Sequence, residues 1–484
     1  MDAADLHRIA TEAMRARGLL PAFSPQALAE ADSLRSAALP RGDDVRDLRG
    51  LTWFSIDNDD TRDLDQLSVA EPLGGGAVRL RVAIADVDVM VARGGAIDGH
   101  AAANTTSVYT AAGTFPMLPE LLSTDLSSLH EGRERLAVVV EMAVQTDGTV
   151  SAADLYRAAV LNHARLTYDA VAGWLDGVAA APAALAAVPQ LEDQLRLHDA
   201  LAQRLQQWRQ RRGALHVKTS EARPVFEDGR LVDLRAEEKN RAKELIADVM
   251  IAANGATARF LAERGLPSLR RFLKAPRRWD RLVQLAARHG VTLPAAPDAA
   301  ALDGFLAERR RVDPAGFADL SLAVVKMLGS GEYAAAAAGE AGQGHFGLAV
   351  NDYAHSTAPN RRFPDLVTQR LVKAALAGQG SPYDAEALAG IARHCTLQED
   401  NANKVERQVL KAAAAFLLNG RIGEVFDAIV TGASAKGTFV RITRPTVEGR
   451  VVVGFEGLDV GDAARVRLVR VDAGQSFIDF ERVR

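Results

Sequence analysis

Between Phe54 and Leu67 the chain reads FSIDNDDTRDLDQL, a short apolar strand that runs directly into Asp57, Asp59, Asp60, Asp63 and Asp65. Carboxylates this crowded repel one another unless a cation holds them. Hard oxygen ligands suit a hard divalent ion such as magnesium, with manganese as the alternative. Any fold this chain adopts must place that strand end where a cation can sit, so it is the first candidate for chemistry.

The rest of the chain bounds that idea. At 484 residues, 48% of them hydrophobic and 25% charged, it is long enough for several cores, and roughly two to four domains are expected. The single cysteine, Cys395, excludes a disulfide framework and any cysteine-based zinc site. No charged-then-apolar leader and no long uncharged apolar run appears, so a cytoplasmic protein with no membrane contact is expected. The net charge of −4, from 58 basic and 62 acidic residues, argues against a non-specific nucleic-acid binder. Basic residues do cluster in RLQQWRQRRG (204–213) and LRRFLKAPRRWDR (269–281). Each run is either a solvated helix face or part of a channel wall.

Along the chain, DLHRIATEAMRARGLL (5–20) and SPQALAEADSLRSAAL (24–39) carry helical spacing, with Ser24-Pro25 as N-cap and first helical position. From Leu51 to about Val150 the pattern is strand-rich, closing on an Asp147-Gly148 turn. Residues from about 158 to 212 and from 236 to 420 read as mostly helical, interrupted by a hairpin around Asp228-Gly229. The last 64 residues hold five short strands separated by Gly, Asp and Pro. That count suits a small closed barrel of OB type, whose face commonly binds single-stranded nucleic acid.

Four segments in order carry a resemblance: the strand-plus-aspartate motif, VAIADVDVMV (82–91), TSVYTAAGTFPMLPELLSTDLSSLHEGRERLAVVVEM (106–142) and HFGLAVNDYAHSTAPNRRFPDLVTQR (345–370). Together they resemble the catalytic (RNB) domain of the ribonuclease II family, and the terminal barrel resembles the S1 domain that follows it. The resemblance covers about Leu51 to Arg484. With the helical arm over 1–48 that the spacing predicts, read as an abbreviated helix-turn-helix in place of the family's cold-shock barrels, it implies an α+β multidomain fold with a mixed α/β core over 49–420 and an all-β OB-fold (S1) barrel over 421–484. It also implies a monomeric 3′-to-5′ exoribonuclease that hydrolyses single-stranded RNA to nucleoside 5′-monophosphates with magnesium, and no protein partner is indicated.

Carried over by position, the resemblance places metal ligands at Asp57, Asp63, Asp65 and Gln66. The last is an amide where the family has a fourth acid. A glutamine oxygen can coordinate magnesium but adds no charge, so either the site runs with one negative charge fewer or Asp59 or Asp60 compensates. Tyr168 and Arg361 would flank the metals. Arg361 would clamp the scissile phosphate, with Arg362 beside it as the second candidate. Tyr109 would stack on a terminal base, while Phe439 and Phe455 would stack on RNA at the barrel. For the family's second clamp aromatic the matching segment offers His216 or Val217, and for its helix acid Asp248 or Glu244. His345, Phe346, Tyr353, His355, Trp53 and Trp174 are read as core residues. Two other readings stay open: an RNA-binding protein with a weakened nuclease centre, favoured by Gln66, and a metal-dependent phosphohydrolase of haloacid-dehalogenase type, which the spacing of Asp57 and Asp59 fits poorly.

Overall fold

The computed structural model describes residues 3–36, 42, 44–218, 220–314, 316–340, 344–434 and 437–483. Its centre is a sheet whose strands Trp53–Asp57, Gln66–Pro72, Val78–Ala85 and Glu134–Val144 are joined antiparallel in that order. Their β-branched residues pack well on a pleated surface. The 18-residue strand Val150–Thr167 closes the circuit. Its first part runs antiparallel to Glu134–Val144, and its last part runs parallel to Trp53–Asp57, ending with Thr167 opposite Asp57. Asn162, 1% exposed, stands at the changeover. Its amide donates to Ser55 Oγ (3.2 Å) and the Leu129 carbonyl (2.9 Å), and its oxygen accepts from the Ala164 N–H (3.1 Å). The helix expected from about residue 158 is therefore strand as far as Thr167. Pairing on both sides overrides the helical preference of its alanines and leucines.

The Asp147-Gly148 turn forms as expected, and only glycine fits there. Gly148 has φ +88°, and a Cβ would lie 2.2 Å from the Arg204 carbonyl of the helix Leu191–Arg211. The helix Arg241–Glu263, capped by Asn240 accepting from the Lys243 N–H (3.0 Å), runs through the core. It is apolar and long enough to cross a membrane, but 72% of its apolar window is buried inside the protein, as a core helix requires.

A 34-residue helix, Ala385–Leu418, is the spine on which the remaining parts assemble. The arm forms helices Ala3–Arg15 and Pro25–Ser33, and Ser24 Oγ accepts from the Ala27 N–H (3.1 Å) as the sequence predicts. Part of the second helical segment, residues 37–39, and residues 40, 41 and 43 of the arm lie outside the described residues. Leu6, Ile9, Ala13 and Met14 pack with Val405 and Val409 of the spine and with Val108 and Phe115. At the spine's far end, Ala414, Ala415 and Leu418 enter the core of the terminal barrel. That barrel closes in the order 425–434, 437–443, 446–453, 477–483, 463–472.

Several arginines of the basic runs are tied into the fold, while Arg277 and Arg278 stay exposed. Arg209 pairs with Asp248, and Arg211 donates to the Asp147 carbonyl (2.5 Å). Arg270 pairs with Asp352 at 2.8 Å and Arg271 with Glu399 at 2.9 Å. Arg281 binds Asp459 of the barrel at 2.7 Å, where Arg288 joins it. The acids that hold them come from distant parts of the chain, which the sequence does not show.

Candidate active site

Phe54 lies opposite Ser68, so Asp57 at the end of one strand and Asp65 just before the start of the next reach the same end of the sheet. The loop between them is clasped. Leu64 N–H donates to Ser128 Oγ (3.0 Å), Ser128 Oγ donates to the Arg62 carbonyl (2.8 Å), and Arg165 Nη2 binds the Asp59 and Thr61 carbonyls (2.7 Å each). Asp59 and Asp60 themselves are exposed, and Asp60 pairs with Arg223 at 3.1 Å. Both belong to the solvent-facing part of the loop, with Asp60 on the lining of the adjoining cleft. Gln66 is 7% exposed and opens its strand opposite Ile84.

The segment 358–363 approaches from the other end of the sequence. Asp65 accepts from the Asn360 N–H (3.0 Å) and from Arg361 Nε (3.2 Å). The loop is held in turn by Ser107 N–H to the Arg361 carbonyl (2.9 Å) and Phe363 N–H to the Thr105 carbonyl (2.8 Å). These bonds fix the hairpin Val108–Thr110/Gly113–Phe115, and with it Tyr109, beside the aspartates. Tyr109 is 44% exposed. Tyr168 opens the helix Tyr168–Leu175 directly after Thr167, the residue paired with Asp57.

Burial dominates the electrostatics. It pushes the Asp57 and Asp65 carboxyls each up to about 7, against the opposing pull of Arg361, and it raises Asp63 as well. Burial also lifts the Tyr109 phenol to about 12, while burial and the Asp57 charge raise Tyr168. Burial pulls the Arg361 guanidinium down, yet Tyr109, Asp65 and Asp63 together hold it above the ordinary arginine value. The side chain is still 42% exposed.

Among the described residues no three His, Cys, Asp or Glu side chains gather into a ready metal cage. The donor chemistry nevertheless fits a divalent ion. Asp57 Oδ2 is buried without a hydrogen-bond partner, and the proton affinity of Asp57 and Asp65 stays raised despite Arg361, so the pair is short of positive charge.

A cleft of about 1020 Å³ leads to this place. It is lined by Asp63, Tyr109, the hairpin strand Ser220–Glu227, the spine around Glu406 and Arg407, and Arg441 to Glu448 of the barrel. Ala3 of the arm touches it as well.

Other sequence-based assignments land elsewhere. Arg362 turns behind the site, pairing with Asp365 at 2.8 Å. Asp248 is 4% exposed and ion-paired to Arg209, so it does not join the aspartates; the charge of Glu244 acts on His216. His216 N–H donates to Asp303 (2.9 Å), Val217 packs on a separate helical cluster, and neither lines the cleft that displays Tyr109. Phe439 is half-buried under Lys411, whereas Phe455 is 41% exposed, and neither lines the cleft. Tyr353 and Trp53 are buried core groups, and His355 is half-buried against Tyr353. His355 Nδ1 bonds the Tyr333 hydroxyl (2.8 Å), and Trp53 Nε1 donates to the Leu48 carbonyl (2.8 Å). His345 and Phe346 are half-buried in ring contacts, and Trp174 lies beneath Arg196. Sequence reasoning missed Asn360, which acts through its backbone N–H, and Asp365. The second had a signal, an acid three residues after Arg362 at a helix start.

The chain belongs to the RNB family. The RNB domain matches residues 45–378, and the RNase II-type exonuclease C-terminal S1 domain matches 424–483. Ribonuclease R of Escherichia coli (strain K12) is 31% identical over 459 residues, covering 90% of this chain and 55% of that protein. Ribonuclease R of Vibrio cholerae is 32% identical over 479 residues, covering 90% and 57%. The chain thus spans little more than half the length of these relatives. RNase R of Mycoplasma genitalium, solved in complex with ribose methylated single-stranded RNA, shares the fold: TM-score 0.89 at 22% identity, over 99% of this chain and 78% of that one. Family membership removes the haloacid-dehalogenase reading.

Proposed function

We propose that the chain is a 3′-to-5′ exoribonuclease that hydrolyses single-stranded RNA to nucleoside 5′-monophosphates with two divalent ions, magnesium or manganese. The observation that carries this reading is the buried Asp57–Asp65 pair, raised in proton affinity and faced by Arg361, beside a cleft that also displays Tyr109. Asp57, Asp63, Asp65 and Gln66 would hold the ions. When bound, these supply Lewis-acid charge at the phosphate and lower the pKa of the attacking water.

The chain's own groups do the rest. Arg361, anchored through Nε by Asp65, binds the scissile phosphate and stabilises charge as it develops. Tyr109 stacks on a base near the 3′ end, which needs no particular sequence. Tyr168, beside Asp57 with its phenol held neutral, positions the reacting group as a hydrogen-bond donor. Incubating the protein with 5′-labelled single-stranded RNA and magnesium should give a descending ladder with mononucleotide release. Full-length RNA surviving in both magnesium and manganese favours the second reading, an RNA binder with a weakened centre. Gln66 in place of an acid supports that alternative.

A further inference from the structure

We propose that Phe226 is a second base-stacking residue, seated on another wall of the cleft that displays Tyr109. It is carried by the strand Ser220–Glu227, where alternation along a strand puts Ala222, Pro224 and Phe226 on one face, and all three line the cleft. Phe226 is 36% exposed, a large aromatic surface that the fold leaves uncovered. Slack in the hairpin does not explain that exposure, because the hairpin is tied at three places. Leu234 is buried in the barrel core, Leu231 is buried against the arm and spine, and Arg223 bridges Asp60 of the aspartate loop (3.1 Å) and Glu237 (3.5 Å). Phe226 lies three residues beyond Arg223, roughly 10 Å further from the aspartate loop along an extended strand. A strand bound at Arg361 would pass it on the way out.

The charge of the cleft points to the bases. Apart from Asp63, which the ions would occupy, its lining holds four arginines, Arg62, Arg223, Arg407 and Arg441, against four carboxylates, Asp60, Glu120, Glu406 and Glu448. A lining without positive excess gives no net attraction for a polyanion, so grip on the strand must come from contacts with the bases, and aromatic faces supply that. The occupant is single-stranded RNA; its identity rests on the exoribonuclease reading, while the stacking role is read by binding alone.

The test measures the affinity of RNA for the wild-type protein, Phe226→Ala and Phe226→Tyr by filter binding in calcium. Single-turnover cleavage at saturating RNA with magnesium is followed alongside. Phe226→Ala should weaken binding about tenfold, leave saturated cleavage within about twofold, and be restored by Phe226→Tyr. An abasic nucleotide walked through the 3′-terminal positions should reveal one position where its cost vanishes in Phe226→Ala. Equal affinities of wild type and Phe226→Ala, or abasic costs that never depend on Phe226, would overturn the inference. RNA that binds with this pattern but is never shortened would overturn the exoribonuclease reading and leave the stacking role standing.

Discussion

Asp57 and Asp65 hold proton affinities suited to a cation and unsuited to an empty site. In each, the folded-state pKa is raised to about 7 by burial. Their contribution to stability is therefore most favourable below the unfolded pKa of about 4 and is lost as pH rises through about 7. Asp57→Asn should consequently raise the stability of the metal-free protein by about 1 to 4 kcal/mol at pH 8 and by little at pH 4.5; denaturant melts at both pH values check it. The same protons compete with metal, so the magnesium concentration giving half-maximal cleavage should fall steadily between pH 6 and pH 8. A pH-independent requirement would mean that neither carboxylate binds the ion. Asp65→Asn should abolish cleavage while RNA binding stays nearly intact, and Arg361→Ala should slow the single-turnover step by about 10²-fold or more. These positions were legible in the sequence because strand, acids and the NRRFPD segment lie in recognisable order. Asn360 was not legible, since a backbone N–H carries no side-chain signature. The displacement of Asp248 into an ion pair depends on Arg209, 39 residues away.

Among the elements, periodicity served the sequence well wherever local signals decide. Ser24-Pro25, Asp147-Gly148 and Asp228-Gly229 all sit where turn and cap chemistry put them. It failed over residues 158–167, where strand pairing as distant as Asp57 with Thr167 decides the conformation. The terminal barrel was legible as five strands, but its attachment was not. Leu234 from the hairpin and Ala414, Ala415 and Leu418 from the spine are built into its core. A chain cut at Asn419 would bare those side chains and should lose stability as well as affinity, so point changes are the cleaner probe. The barrel carries ten basic and nine acidic residues, which leaves little bulk attraction for RNA. Phe455→Ala should therefore lower RNA affinity by about tenfold or less with a shallow salt dependence, and leave saturated cleavage unchanged. A steep salt slope lost with the barrel's arginines would show a concentrated phosphate patch instead.

Across the whole molecule, the arm is a buttress for the site. Its first helix packs against the hairpin that displays Tyr109, with His7 stacked on Phe115 at 5.0 Å between ring centres. Leu6→Ala should cost about 3 kcal/mol of stability and raise KM more than it lowers kcat, because the loosened part is the stacking hairpin and not the aspartates. An unchanged KM in a demonstrably destabilised variant would confine the arm to stability. One contact reaches further still. Asp65 and Arg361 are separated by 296 residues, and the carboxylate end of the sheet closes only when Val150–Thr167 has paired. During synthesis, then, a ribosome carrying the first two-thirds of this polypeptide would hold acids without their arginine and a cleft without its spine or barrel. On the proposed exoribonuclease reading, a nascent chain that has not yet reached Arg361 lacks the group that binds the scissile phosphate and stays inert towards RNA.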